Sequence, residues 1–345
     1  MSYKEVGVVF SSSNTIVQKA TKNDGTTVVI KKPAQNFPDA LLIESFRKDF
    51  QFTKMLHNSY PKYFIDMIEL IEQKNGSVFL VEEEGTELKS FVAEKKKIEL
   101  EEFLKVAIDM AKAVSCSHEK HVLHRDIKLR NFLVGNDKIV KLIDFGLAVV
   151  VSRKSPSVVC NSPIGTYGYM SPEQTGRISK NVDFRSDIYS LGITFYELLT
   201  GKLPFVGDKM SVVHSHITKK IPNVTDVPSA INEIIQKMCS KNPTDRYISA
   251  SGVVKDLEFI LKNVKKIPEN FVVGKEDLKQ FQIPNKIYGR NKQVQFLRDI
   301  ITSKGETNMC LVSGYSGMGK SVRMSYMFHS NSFFKKGINW WISKR

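Results

Sequence analysis

The sequence contains few cysteines and no long apolar run. Its four cysteines, Cys116, Cys160, Cys239 and Cys310, are scattered along 345 residues without a C-x-x-C pair. This scatter favours neither a zinc site nor a disulfide framework and indicates a reducing compartment. The N-terminus is polar, and no apolar run approaches the ~18 residues of a membrane span. We therefore expect a cytoplasmic protein without a secretion signal or a membrane span.

Acidic residues are in the minority, with 36 Asp and Glu against 51 Lys and Arg and a formal charge of +15. Such an excess can indicate an anionic partner such as nucleic acid or a membrane surface. Here the lysines lie in short, separate runs, such as 95–97, 219–220 and 265–266, without interleaved aromatic residues. This pattern is typical of solvated faces, so we expect no nucleic-acid partner.

The chain is longer than an average domain, and its hydrophobic pattern changes along the sequence. Residues 6–32 alternate in part between apolar and polar positions and break at Asn23-Asp24-Gly25, which predicts strands joined by tight turns. Helical spacing follows over 39–56, and strand-like segments return around Asn75-Gly76. Further along, the periodicity predicts helices at Glu101–Ser117, Ser186–Thr200, Ile231–Met238 and Val253–Leu261. The expected fold is α+β, with a β-rich lobe followed by a helical lobe.

The most informative segment runs from His124 to Asn131 and has the form H-R-D-x-K-x-x-N, with Asp144-Phe145-Gly146 following it. Between them, Gly135–Lys138 separates two short, β-branched apolar runs, which is typical of a hairpin. That hairpin would bring Asn131 and Asp144 together. The arrangement favours a phosphoryl-transfer centre.

Phosphoryl transfer needs positioning and charge neutralisation more than covalent chemistry. Asp126 would accept the proton of a substrate hydroxyl, and oxygens of Asn131 and Asp144 would hold magnesium. Lys128 would neutralise the γ-phosphate, and Lys31, at the end of a strand-like segment, would reach the α- and β-phosphates of ATP. Taken singly, Lys31 could be a solvated strand lysine and the others parts of a surface loop. The ordered set favours catalysis.

The ordered motifs of residues 6–262 resemble a eukaryotic-type protein kinase domain, and Lys128 is typical of its serine/threonine-directed members. The resemblance implies a β-rich N-lobe at about 6–84 and a helical C-lobe at about 85–262. It also implies ATP as the phosphate donor, Mg²⁺ as the cofactor and proteins with serine or threonine as substrates.

The segment Tyr169-Met170-Ser171-Pro172-Glu173 is similar to the family's A-P-E stretch, with serine in place of alanine, and closes an activation segment that begins at Asp144. The resemblance implies a buried ion pair between Glu173 and Arg246. It gives Asp187 the role of holding the backbone of the HRD loop. Most serines in loops have no regulatory role and serve only as polar surface residues. Four serines of this segment are nevertheless candidates for phosphorylation, and a phosphate group on one of them would pair with Arg125: Ser152, Ser155, Ser157 and Ser162.

The phosphate loop departs from the family pattern because it lacks the G-x-G-x-x-G glycines. The segment 11–15 stands in their place, so Ser12, Ser13 and Asn14 would bind phosphate through hydroxyl groups and a less flexible backbone. The resemblance adds Val17 to the expected ATP-binding residues.

A second departure concerns the carboxylate that pairs with Lys31. The family's glutamate aligns best with Asp49, which is one methylene shorter, and Glu44 is the second candidate. With Asp49 in this position, the active ion pair would need a shifted helix.

A second nucleotide motif, G-x-x-x-x-G-K-[ST], occupies residues 314–321 after the apolar run 309–312. Its expected phosphate- and magnesium-binding residues are Gly314, Gly317, Gly319, Lys320 and Ser321. Together with the kinase-like motifs and the segment 281–290, it resembles the N-terminal part of hybrid sensor histidine kinases that carry an AAA-type ATPase. We expect a linker at 263–284 and an incomplete α/β P-loop ATPase segment at 285–345, with downstream histidine-kinase modules as candidate partners.

The expected function is therefore ATP-dependent transfer of a γ-phosphoryl group to serine or threonine of proteins in signalling. The alternative is a pseudokinase, or a regulatory nucleotide-binding module of a larger sensor kinase. A contact between Lys31 and Asp49 would favour the enzyme. An ATPase driven by the P-loop is disfavoured, because no second apolar strand ending in Asp follows before Arg345.

Overall fold

The computed structural model describes residues 3–277, apart from residues 36, 73–77, 94–97, 153–156, 161, 179 and 276. The chain divides into two units, Met1–Lys279 and Gln280–Arg345. All described residues belong to the first unit, which has two lobes. The P-loop motif at 314–321 and the incomplete ATPase segment predicted around it lie outside the described residues.

The first lobe is built on a five-stranded antiparallel sheet with the strand order β1-β2-β3-β5-β4. Its strands are β1 (Tyr3–Ser11), β2 (Thr15–Lys22), β3 (Thr27–Pro33), β4 (Met67–Glu72) and β5 (Val78–Glu83). Between β2 and β3, Gly25 has a φ of 84° and Asp24 accepts a hydrogen bond from the amide of Thr26. The tight turn predicted at Asn23-Asp24-Gly25 is confirmed.

Helix α1 (Ala40–Ser59) packs on one face of this sheet. It begins after Asp39, whose carboxylate accepts a hydrogen bond from the amide of Leu42 at 2.7 Å. Phe46 of α1 is buried in a cluster with Ile65, Met67, Val78 and Leu80. Asp49 lies one turn after Phe46 on the same helix face, so the packing of Phe46 carries Asp49 into the interior, where it is 1% exposed.

The second lobe is predominantly helical. Its helices are α2 (Leu88–Ala93), α3 (Leu100–Glu119), α4 (Phe184–Thr200), α5 (Lys209–Thr218), α6 (Ser229–Met238) and α7 (Ala250–Lys262). Every residue of α4 from Ser186 to Leu198 is buried. Gly192 permits close packing there, because an added Cβ would lie 2.6 Å from the sulfur of Cys239. The predicted helices and the predicted two-lobed architecture are confirmed.

Short strands connect the helices of the second lobe: β6 (Thr86–Glu87), β7 (Val122–Leu123), β8 (Phe132–Val134), β9 (Val140–Leu142) and β10 (Val149–Val150). Strands β8 and β9 pair in antiparallel register, with Phe132 opposite Leu142, so the predicted hairpin is confirmed. In the part of the chain that the structure describes, no helix is both long and apolar enough to cross a membrane.

The chain stays packed on the second lobe beyond α7. Phe271 stacks on Phe259 of α7, with ring centroids 5.0 Å apart. The carboxylate of Asp277, 4% exposed, accepts hydrogen bonds from the amide and the hydroxyl of Ser249 at 3.3 and 3.1 Å. The sequence predicts a linker from residue 263. The described part of this segment instead extends the folded unit, because Phe271 packs on α7 and Asp277 is hydrogen-bonded to Ser249, the residue that precedes α7.

Candidate active site

The open end of the β8–β9 hairpin carries the two residues predicted to bind magnesium. The amide of Ile143, next to Asp144, donates a hydrogen bond to the carbonyl of Asn131 at 3.0 Å. The side-chain nitrogen of Asn131 donates to the carbonyl of Asp126 at 2.9 Å, so its amide oxygen is the atom able to coordinate a cation. The structure therefore brings Asp126, Asn131 and Asp144 into one corner of the cleft between the lobes.

Asp126 is held by charged and polar partners on both carboxylate oxygens. Lys128 donates to Oδ2 at 2.6 Å, and the amide and hydroxyl of Thr166 both donate to Oδ1 at 2.8 Å. The ammonium of Lys128 also donates to the Thr166 hydroxyl at 3.1 Å. This closed set of bonds fixes the orientation of a carboxylate that is 8% exposed.

Thr166 is a site residue that the sequence predictions do not include. The preceding Gly165 has a φ of 104°, and an added Cβ there would lie 2.6 Å from the carbonyl oxygen of Arg125. Only glycine permits this close approach, which delivers Thr166 to Asp126. The signal was present as Gly-Thr just before the Tyr169–Glu173 stretch, but nothing local indicates a contact across 40 residues.

Asp187 organises the backbone that precedes Asp126. Its carboxylate accepts hydrogen bonds from the amides of His124 and Arg125, both at 2.9 Å, and lies 2.9 Å from Nε2 of His118. Arg125 has a φ of 68°, a costly conformation for a residue other than glycine. Burial raises the pKa of Asp187, but the bond to His118 and the neighbouring charges lower it below the usual value. An ionised Asp187 thus holds the strained turn.

Lys31 bridges the two lobes through two carboxylates. Its ammonium lies 2.7 Å from Oδ2 of Asp49 and 2.9 Å from Oδ1 of Asp144. Burial lowers the pKa of Lys31, but Asp144 and Asp49 outweigh it and raise the pKa above the usual value. Burial likewise raises the pKa of Asp144, whereas Lys31 and then Lys128 lower it to about 2. The ammonium and the Asp144 carboxylate are therefore both charged at neutral pH.

The structure places Asp49, and not Glu44, beside Lys31. Glu44 is exposed on α1 and lies 4.0 Å from Lys48. Asp49 also accepts a hydrogen bond from the amide of Phe145 at 2.8 Å, which ties α1 to the Asp144-Phe145-Gly146 segment. The shorter side chain of Asp49 therefore contacts both the Lys31 ammonium and the Phe145 amide directly.

The phosphate loop closes without glycine. The Ser12 hydroxyl accepts hydrogen bonds from the amides of Asn14 and Thr15 at 3.3 and 3.0 Å and donates to the Thr15 carbonyl at 3.1 Å. Ser13 and Asn14 are exposed, and Val17 lies opposite Lys31 in the register of β2 and β3. Phosphate contacts by Ser12, Ser13 and Asn14, and a nucleotide contact by Val17, stay predictions.

A buried ion pair anchors the end of the activation segment. The guanidinium of Arg246 donates to both carboxylate oxygens of Glu173, at 2.6 and 2.9 Å, and Ser186 adds a third bond at 2.6 Å. The two charged side chains are 0% and 1% exposed. Burial raises the pKa of Glu173, but Arg246 lowers it below the usual value. The pair expected between Glu173 and Arg246 is present.

The activation-segment serines remain untested as phosphorylation sites. Ser155 lies outside the described residues. Arg125, the residue expected to pair with a phosphorylated serine, donates from its side chain to the carbonyl of Leu147 at 2.8 Å. At Ser162, the backbone carbonyl accepts a hydrogen bond from the Cys160 thiol at 2.9 Å.

The cleft combines one bridging lysine, a fixed carboxylate and two oxygen donors for a cation. The sequence profile described as "Protein kinase domain" matches residues 7–257, well over half of the chain. The chain belongs to the protein kinase family. Protein kinases use ATP, typically with Mg²⁺, and act on proteins.

The kinase domain is similar to bacterial and eukaryotic proteins. A probable serine/threonine-protein kinase of Clostridium perfringens is 34% identical over 249 residues, which cover 70% of this chain and 35% of that protein. The serine/threonine-protein kinase PknB of Mycolicibacterium smegmatis is 34% identical over 221 residues, or 61% of this chain and 35% of that protein. The hybrid signal transduction histidine kinase G of Dictyostelium discoideum is 40% identical over 186 residues, or 45% of this chain and 5% of that protein. The chain thus spans about a third of the length of the two bacterial relatives.

Substitution of Asp49 by asparagine is expected to lower the kcat of the kinase about 10- to 100-fold, the equivalent of one hydrogen bond to a charged group. Asparagine removes the negative charge beside Lys31 and weakens the tie to Phe145. Steady-state rates with labelled ATP measure the effect. Glu44→Gln is the matched control, since Glu44 is exposed and does not contact Lys31. Equal losses in both variants would contradict the pairing role of Asp49.

Proposed function

We propose that the chain is a Mg·ATP-dependent kinase that phosphorylates serine or threonine of protein substrates. The observation that carries the proposal is the carboxylate of Asp126, held by Lys128 and Thr166 beside Asn131 and Asp144. A carboxylate in this position can accept the proton of an attacking hydroxyl.

The chain's own residues divide the work of the transfer. Asp126 accepts the hydroxyl proton, and Lys128 lies next to it to neutralise charge on the transferred phosphoryl group. Lys31, once it exchanges part of its carboxylate contact for phosphate, orients the α- and β-phosphates of ATP. Thr166 keeps the base aligned.

The corner formed by Asn131 and Asp144 fits Mg²⁺, because an amide oxygen and an ionised carboxylate are the hard oxygen donors that this ion prefers. The chemistry supplied by the ion there is neutralisation of charge on the β- and γ-phosphates. Asn131 and Asp144 would hold it.

Removal of Mg²⁺ tests the proposal. The purified chain is incubated with γ-labelled ATP and a generic protein acceptor, with Mg²⁺ or with EDTA, and labelled amino acids are identified after hydrolysis. We expect label on serine or threonine in Mg²⁺ and at least a ~100-fold lower rate in EDTA, because metal charge stabilisation amounts to several kcal/mol. Equal labelling in EDTA would contradict the assignment of Asn131 and Asp144.

The alternative is a pseudokinase that binds nucleotide and regulates a partner. The contact between Lys31 and Asp49 at 2.7 Å supports the enzyme over this alternative, because the ion pair is part of an active kinase. A place within a longer sensor protein, with histidine-kinase modules downstream, is part of the same proposal and rests on the similarity to the Dictyostelium protein. Nucleotide binding at residues 314–321 and a cytoplasmic location stay predictions from the sequence.

A further inference from the structure

The side chain of Gln174 is 1% exposed and forms hydrogen bonds with both of its polar atoms. Its Oε1 accepts from the amide and the hydroxyl of Ser171 at 3.1 and 3.0 Å. Its Nε2 donates to the carbonyls of Arg125 at 2.8 Å and of Ile164 at 3.3 Å. Because carbonyl oxygens can only accept, the nitrogen must face them, and the orientation of the amide is fixed. Gln174 therefore joins three segments of the chain through one side chain.

The two ends of this side chain differ in what they connect. The bonds with Ser171 close a local cap at the start of the helical turn Pro172–Thr175, in which Gln174 lies. The bonds from Nε2 instead reach across 49 residues to Arg125 and across 10 residues to Ile164. A local cap needs only the first pair of bonds, so the second pair serves the contact between segments.

The carbonyl of Arg125 belongs to the peptide unit that joins Arg125 to Asp126. Arg125 has a φ of 68°, so this strained turn needs partners that hold it. Asp187 accepts a hydrogen bond from the Arg125 amide at 2.9 Å, and Nδ1 of His124 accepts one from the Asp126 amide at 3.2 Å. Gln174 holds the carbonyl between these two amides. The position of the Asp126 backbone thus depends on Gln174 as well as on Asp187.

The carbonyl of Ile164 lies in the activation segment, just before Gly165 and Thr166. Thr166 binds Oδ1 of Asp126 with both its amide and its hydroxyl. An added Cβ at Gly165 would lie 3.6 Å from Nε2 of Gln174, so the amide packs directly beside this glycine. Gln174 therefore holds both the backbone of the predicted base and the backbone that delivers Thr166 to it.

We propose that Gln174 is a positioning residue for phosphotransfer, which keeps the Asp126 carboxylate aligned with the acceptor hydroxyl. The inference rests on the proposed function. Glu173, the preceding residue, is anchored by its buried pair with Arg246, so the Gln174 amide projects from a rigid point. Gln174 acts through the backbone, because its Nε2 donates to carbonyls. A displacement of a reacting group by about 1 Å can lower a rate about 100-fold, so loss of these bonds should reduce kcat.

Substitution of Gln174 by leucine tests the inference in the 345-residue chain. Leucine leaves both carbonyls without this donor, so we expect kcat to fall about 10- to 100-fold. The KM for ATP should change less than about 3-fold, because the substitution spares Lys31 and Asp144. Gln174→Asn is the second variant: its amide is one methylene too short to reach both carbonyls, so kcat should fall there too. Initial rates with labelled ATP give kcat and KM, and thermal melting verifies that each variant is folded.

Gln236→Leu is the matched control. Gln236 of α6 also donates through Nε2 to a backbone carbonyl, that of Ile221, at 2.6 Å. Its loss should lower the melting temperature without lowering kcat. The comparison separates the general cost of a lost side-chain hydrogen bond from the loss of alignment at Asp126.

A double substitution tests whether Gln174 acts on the contact between Thr166 and Asp126. Thr166→Val removes the hydroxyl bond to Asp126 and keeps the amide bond. If Gln174→Asn and Thr166→Val disturb one alignment, their combined loss of kcat is smaller than the product of the two separate losses. A role of Gln174 in overall stability alone would give the full product.

Unchanged kcat in a folded Gln174 variant would overturn the inference, as would a combined loss equal to the full product or an equal loss in Gln236→Leu. The inference and the proposed function fail in different ways. An active unsubstituted chain with fully active Gln174 variants would contradict the inference alone. ATP binding without phosphotransfer in the unsubstituted chain would contradict both.

Discussion

Substitution of Asp126 by asparagine is expected to lower kcat for phosphotransfer by about 10²- to 10⁴-fold, the usual contribution of a general base. Asparagine has nearly the same shape and can still accept the hydrogen bond from the Thr166 amide, but it cannot take up the proton of the acceptor hydroxyl. Initial rates at saturating ATP and acceptor measure the loss. Because the change spares Lys31 and Asp144, ATP affinity should change far less than kcat.

The control for this substitution is Asp24→Asn. Asp24 is exposed in the β2–β3 turn, where its side chain accepts a bond from the Thr26 amide at 2.8 Å, and asparagine supports the same turn. Its rate should match that of the unsubstituted chain. Retention of full activity in Asp126→Asn would rule out Asp126 as the base.

Substitution of Arg246 by alanine is expected to lower the free energy of unfolding by about 3–5 kcal/mol, the usual cost of stranding one member of a buried ion pair. The carboxylate of Glu173 would remain in the interior with only the Ser186 bond. Urea unfolding followed by circular dichroism measures the change. Arg47→Ala is the matched control: its pair with Glu72 is 45% exposed on both sides, so we expect a loss of about 0–1 kcal/mol.

The effect of Arg246→Ala should also depend on pH. Pairing with Arg246 lowers the folded-state pKa of Glu173 below its value in the unfolded chain. The stabilisation is therefore complete above the unfolded-state pKa and is lost as pH falls through the lowered value. In the variant, the unpaired and buried Glu173 takes up a proton more readily, which relieves its penalty in acid. The difference between the two proteins should shrink as pH falls, and a constant difference would show that loss of packing causes the effect.

Local patterns in the sequence predicted most of the fold. Gly135–Lys138 predicted the hairpin that joins Asn131 to Asp144, and helical spacing predicted α1 with Asp49 on it. The phase of that helix decides between Asp49 and Glu44: Asp49 follows the buried Phe46 by one turn, whereas Glu44 faces solvent. The ion pair between Asp49 and Lys31 could therefore be predicted from the sequence.

Contacts between distant segments were not predictable in the same way. Thr166 reaches Asp126 only because Gly165 has a left-handed backbone and packs against Arg125. Asp277 lies in the segment predicted to be a linker, yet its carboxylate accepts hydrogen bonds from the amide and the hydroxyl of Ser249, the residue that precedes α7. Tertiary packing, which no local pattern specifies, determines these roles.

The number of phosphoryl groups that the purified chain transfers to a protein acceptor tests the central claim most directly. The count is made with γ-labelled ATP and Mg²⁺, relative to the number of chain molecules, after ATP binding has been verified. Our account predicts many transfers per molecule, all on serine or threonine, and a ~100-fold or greater loss in Asp126→Asn. ATP binding without any transfer beyond background would contradict it and would identify the chain as a nucleotide-binding regulatory module.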